Sequence, residues 1–127
     1  MRAFSKLIIS FVLFFVVSAF MIAVASAISS RAGLGRGDSI RLEEQNLSSP
    51  ITQIVSEAAT SNADIKTTLE RKSLGFYTKA GTNIHHIEAN HTYTMSWNVS
   101  GTKDTRATWE NIETDVGCVV IGNFILK

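Results

Sequence analysis

Tyr93-Thr94-Met95-Ser96-Trp97-Asn98-Val99 alternates large apolar side chains with small polar ones. Tyr93, Met95, Trp97 and Val99 fall on one side of an extended chain. Thr92, Thr94, Ser96, Asn98 and Ser100 fall on the other. On a helix these two sets would scatter around the axis. On a strand they separate into one face for a core and one for water. The stretch predicts a half-buried antiparallel strand, the kind with one solvated face.

The same period of two extends outward from this strand. Gly101-Thr102-Lys103-Asp104 makes the next turn. Thr105, Ala107 and Trp109 then alternate with Arg106, Thr108 and Glu110 up to Ile112. Glu113-Thr114-Asp115 turns again. Upstream, Ile65, Thr67 and Leu69 share one face from Asp64 onward, and Leu74 and Phe76 share another. Ala80-Gly81-Thr82-Asn83 reads as turn material, followed by an extended piece from Ile84 to Glu88 and a turn at Ala89-Asn90.

The last segment is apolar from Cys118 to Ile121 and from Phe124 to Leu126, with Gly122-Asn123 between. That suits a two-residue type II′ hairpin, or one long terminal strand with a bulge at Gly122. Short strands at close spacing predict a mainly β fold, a small antiparallel β-sandwich or barrel-like domain.

One short helix is expected beside the strands. Ser49 suits a helix cap and Pro50 the first helical position. Ile51, Ile54, Val55, Ala58 and Ala59 follow helical spacing, so the reading is an amphipathic helix over residues 50–60. Residues 28–48 read as a flexible lead-in, because Ser29, Ser30, Gly33, Gly35 and Gly37 crowd its first ten positions. Within it, Ile40 and Leu42 alternate as in a strand while Glu43, Glu44 and Gln45 favour helix. The single domain then spans residues 49–127.

Ahead of all this, Arg2 and Lys6 precede an uncharged apolar run from Leu7 to Val24, which ends in Ala25-Ser26-Ala27. A basic head, an apolar middle and a small-x-small exit make a signal peptide over residues 1–27, with cleavage after Ala27. The run is eighteen residues long, close to the roughly 20 that span a bilayer, so a retained helical signal anchor is the alternative. The expected location is extracellular, secreted or in the secretory-pathway lumen, with single-pass membrane attachment through Leu7–Val24 as the alternative.

Without the first 27 residues the chain carries 10 basic and 11 acidic residues. It has no basic run, so no nucleic-acid partner is expected. Cys118 is the one cysteine of the chain, so no internal disulfide can form. It reads as a small core residue in an apolar strand. A dimer through Cys118 is the alternative.

Asn46-Leu47-Ser48, Asn90-His91-Thr92 and Asn98-Val99-Ser100 are glycosylation sequons. Asn90 falls in an expected turn and Asn98 on the polar face of its strand. His85, His86 and His91 lie in one seven-residue window with Glu88 between them. Histidine and carboxylate together can bind zinc or move protons. Strand parity opposes it, since His86 and Glu88 share a face that His85 does not, and the reading is exposed strand and turn residues. No cofactor is expected. Arg36-Gly37-Asp38-Ser39 resembles the integrin-binding loop of adhesive extracellular proteins over those four residues; the plain alternative is a coincidental tripeptide in a polar segment. Trp97, Trp109, Tyr93, Phe76 and Tyr77 could form a carbohydrate platform, but a domain of this size without disulfides needs its aromatics inside.

No P-loop, nucleophile elbow or paired-cysteine zinc spacing occurs. The expected function is a non-enzymatic binding module outside the cytosol, with an extracellular protein or a carbohydrate as partner. Two alternatives stand beside it: the same domain on a membrane anchor, and a small metal-dependent enzyme using His85, His86, Glu88 and His91.

Overall fold

The computed structural model describes residues 27–127; the signal or anchor segment, apart from Ala27, lies outside them. Eight strands follow one another: β1 (Ile28–Gly35), β2 (Ser39–Leu47), β3 (Ile51–Ala59), β4 (Asp64–Ser73), β5 (Phe76–His86), β6 (Thr92–Ser96), β7 (Lys103–Asn111) and β8 (Val119–Leu126). They form two four-stranded antiparallel sheets. Sheet A has the order β1-β8-β3-β6 and sheet B the order β2-β7-β4-β5. Of the seven strand-to-strand connections, only β4–β5 joins two neighbours of one sheet. The other six cross between the sheets, which is the double Greek key of a jelly roll.

The expected alternation holds strand by strand. Thr105, Ala107, Trp109 and Asn111 of β7 are buried, as are Ile65, Thr67, Leu69 and Arg71 of β4. Tyr93, Met95 and Trp97 point inward from β6 and its continuation. Trp109 packs on Phe124 with ring centroids 5.6 Å apart, between Ile54, Val120 and Leu126 of sheet A and Ile65 and Leu69 of sheet B.

Four readings are corrected. The expected helix over residues 50–60 is strand β3, with Thr52, Ile54 and Ser56 inward. An isolated eleven-residue helix is marginal in water. As a strand, the same segment satisfies the facing edges of both β6 and β8. Its three β-branched isoleucine and valine residues suit the pleat. Among the described residues there is no helix. The expected flexible lead-in over 28–48 forms β1 and β2: Ala32 and Leu34 face the core while Arg31 and Gly33 face out, and the backbone of β1 pairs along its whole length with β8. The Ala80–Asn83 turn is instead interior to β5, where a bulge at Ala80 takes up the extra residue.

The Gly122-Asn123 hairpin is replaced by the long-strand alternative. Gly122 lies opposite Ser56, and the extra residue of the bulge is Glu57 on the partner strand. A Cβ on Gly122 would stand 2.3 Å from the Val55 carbonyl oxygen, so only glycine lets β3 and β8 approach there.

Candidate functional site

The outer face of sheet B presents an ordered set of polar side chains. Strand register assembles it. Arg41 lies opposite Thr108, Thr108 opposite Thr68, and Thr68 opposite Thr82, so one row crosses all four strands. On one side of it runs Glu43, Arg106, Glu70 and Lys79; on the other run Ser39, Glu110 and Lys66. All of these except Glu43 and Arg106 line a shallow open groove.

The rows are tied. Arg106 Nε and Nη2 donate to the two Glu70 carboxylate oxygens at 3.0 and 3.2 Å. Both side chains are only 20% exposed. The Arg106 guanidinium holds the Glu70 carboxyl below the usual carboxylate range, chiefly through that hydrogen bond. The same guanidinium lies 4.1 Å from the Tyr77 ring centroid, which closes the row. Arg41 Nε donates to Thr108 Oγ1 at 3.2 Å. Burial, first, and then nearby carboxylates raise the Tyr77 hydroxyl above its ordinary value.

The histidines disperse. His85 is turned inward, with its ring 5.4 Å from that of Tyr93, and burial pushes its imidazole pKa down. His86 points outward and its Nδ1 lies 2.8 Å from Asp64 Oδ1. His91 donates from Nδ1 to the Ala89 carbonyl at 2.7 Å, with Nε2 3.6 Å from Glu88. Among the described residues no three histidine, cysteine or carboxylate side chains come together as a metal site.

Arg36-Gly37-Asp38 is the β1–β2 turn. Asp38 N–H donates to the Gly35 carbonyl at 2.9 Å and Gly37 has φ 78°, the position a type II turn gives to glycine. Asp38 Oδ2 accepts from Gly35 N–H at 2.9 Å, and Arg36 donates to the Thr114 carbonyl. Both charged groups of the tripeptide are therefore engaged within the fold. Asn46, Asn90 and Asn98 are all exposed; Asn46 sits at a β2 bulge and Asn90 in a turn, each at φ 58°.

Cys118 is 3% exposed and receives a hydrogen bond from Thr60 Oγ1 at 3.3 Å. Its burial agrees with the reading of Cys118 as a small core residue, ahead of the alternative of a dimer through its thiol. Trp109 is fully buried and Trp97 nearly so, its Nε1 donating to Thr52 Oγ1 at 2.9 Å. The platform of five aromatics does not assemble on one surface.

Two residues that organise the molecule had no role in the sequence reading. Arg71 is 5% exposed and meets no carboxylate among the described residues. It donates to the carbonyls of Leu47, Ser100 and Gly101 at 2.5, 2.9 and 2.6 Å. Asn111, fully buried, donates to the Leu34 carbonyl at 3.0 Å and accepts from Glu113 N–H at 3.1 Å. Parity was the signal: each continues the inward set of its strand.

No protein-family model matches the chain, and none of the curated proteins is significantly similar to it in sequence. Solved structures superpose on the chain. A protein from Sulfurospirillum deleyianum superposes with a TM-score of 0.54 at 13% identity, over 79% of this chain and 95% of that one. A CBM36 carbohydrate-binding module solved with calcium and xylotriose gives 0.47 at 12% identity, over 77% and 86%. PliG, a periplasmic inhibitor of g-type lysozyme from Aeromonas hydrophila, gives 0.45 at 9%, over 80% and 84%. The first of these likenesses, at 13% identity, bears on the fold alone.

Proposed function

We propose that this chain is a non-enzymatic binding module that works outside the cytosol and recognises an extended polar ligand, a glycan, on the outer face of sheet B. The observation that carries this reading is the in-register row Arg41–Thr108–Thr68–Thr82, crossing four strands between two charged rows. Hydroxyls and a guanidinium at strand spacing, about 4.8 Å apart, offer repeated donors and acceptors to a ligand with repeated hydroxyls. The Arg106–Glu70 pair and the Tyr77 ring hold the neighbouring row in place, so little side-chain freedom is lost on binding. The basic head and apolar run at residues 2–24 support the location. Exposed Asn46, Asn90 and Asn98 fit a glycoprotein.

The test is a glycan array with the purified chain, followed by titration calorimetry with the best ligand. Arg41→Ala is expected to weaken binding about tenfold or more, the worth of a charge-assisted hydrogen bond. Thr68→Val, which keeps the shape and removes the hydroxyl, is expected to weaken it less. Unchanged affinity in both variants, with circular dichroism unaltered, would remove sheet B's face from the binding site.

A further inference from the structure

The two sets of loops at the ends of the sandwich differ in chemistry. At one end, β4 turns into β5 through Leu74 and Gly75, with Ser73 paired to Phe76. Leu74 has φ 53° and Gly75 φ 87°. Two left-handed residues make a type I′ turn, whose usual occupants are Asn-Gly or Gly-Gly. A leucine there is sterically disfavoured. It is also 96% exposed, and Phe76 beside it is 74% exposed. Neither the backbone nor the core accounts for these two side chains. Backbone strain of this kind concentrates where a residue serves function.

We propose that the Leu74-Gly75-Phe76 tip is a membrane-contact element that seats its two apolar side chains in the interfacial layer of a lipid bilayer. Three observations favour a bilayer as the occupant. Ile28 pairs with Leu126 at this same end, so β1 begins at the end from which the tip projects, and the apolar run Leu7–Val24 comes before it in the sequence. The charges are polarised. Exposed Lys72, Lys103 and Lys127 lie at the tip end with Asp104 and Glu44, whereas the opposite end holds Asp38, Asp64, Glu88, Glu113 and Asp115 against Arg36. Basic residues around an apolar tip suit an anionic headgroup layer. Finally, Arg71 pins the Leu47, Ser100 and Gly101 carbonyls of the adjoining connections together. The tip therefore projects from a fixed base. The proposal is independent of the glycan reading, whose residues lie along the face of sheet B.

The experiment is site-directed spin labelling of the full chain on vesicles of phosphatidylcholine and phosphatidylglycerol. In a Cys118→Ala background, one nitroxide is placed by Leu74→Cys and another by Val116→Cys. Val116 is the control: it is 87% exposed and apolar, but sits in the β7–β8 connection at the opposite end. The expected result is a position-74 nitroxide reached by lipid-dissolved oxygen and shielded from an aqueous nickel chelate, with the reverse at position 116. Equal nickel access at the two positions would overturn the proposal, as would a chain that stays off the vesicles. Phe76→Cys gives the same readout should Leu74→Cys fold poorly.

Discussion

At Gly122 the fold rests on a missing Cβ. The Val55 carbonyl oxygen and the Ser56 Cα lie 2.3 and 3.1 Å from where that atom would be. Both belong to backbone, which cannot rotate away. Gly122→Ala should therefore push β3 off β8 and cost about 3 kcal/mol. Gly33 provides the contrast, since its Cβ would meet only Ile121 Cγ1 at an ordinary 3.6 Å. Gly33→Ala should stay within about 0.5 kcal/mol of the parent. Chemical denaturation of both variants checks the pair, and equal losses would show that the close approach is not what matters. At this scale, parity was the legible part. It put His85 apart from His86 and placed Trp97 and Trp109 inside. The same parity marked Arg71 and Asn111 as inward polar residues, but their carbonyl partners come from segments distant in sequence. No local pattern announces those partners.

Among the elements, strands with one wet face could be read from the chain, and strands with unusual faces could not. β6 and β7 expose threonine, serine and charge on one side only, so alternation identified them. β3 carries Ile51, Gln53 and Val55 outward and Thr52, Ile54 and Ser56 inward. With apolar residues on both faces, it mimics helical spacing. β1 was hidden by glycine and serine and β2 by the helix-favouring Glu43, Glu44 and Gln45, and their order comes from pairing with β8 and β7 across most of the chain. The candidate site has the same character: each of its rows draws one residue per strand, so only the register brings them together. The Glu43–Arg106–Glu70 row gives this a measurable consequence. Arg106 is a largely sheltered guanidinium with a bidentate carboxylate and a Tyr77 ring. Arg106→Ala should cost about 1–2 kcal/mol. Glu70→Gln in that background should then add little, because the carboxylate has already lost its partner. Double-mutant-cycle denaturation reads the coupling, and additive losses would mean that the row is not a unit.

The molecule as a whole closes through distant pairings. β1 joins β8, β2 joins β7, β3 joins both β6 and β8, and β4 joins β7. β4–β5 is the one hairpin between consecutive strands. β8 is central to sheet A and carries apolar side chains on both faces: Val120, Phe124 and Leu126 inward, Val119, Ile121 and Ile125 outward. Its one flank is β3 and its other is β1. If residues 28–35 were a loose leader, trimming them would leave the sandwich as it was. In the structure they are the strand that keeps the β8 edge from open water. Removing them would unpair that edge, uncover Leu34's neighbours in the core, and take away the carbonyl that Asn111 holds at 3.0 Å. An exposed apolar edge strand is a template for association. A chain beginning at Arg36 should therefore melt at a lower temperature and over a broader range than one beginning at Ile28. It should also aggregate with rising concentration in light scattering. A trimmed chain with the same melting curve, monomeric at every concentration, would mean that β1 is dispensable and that sheet A is complete with three strands.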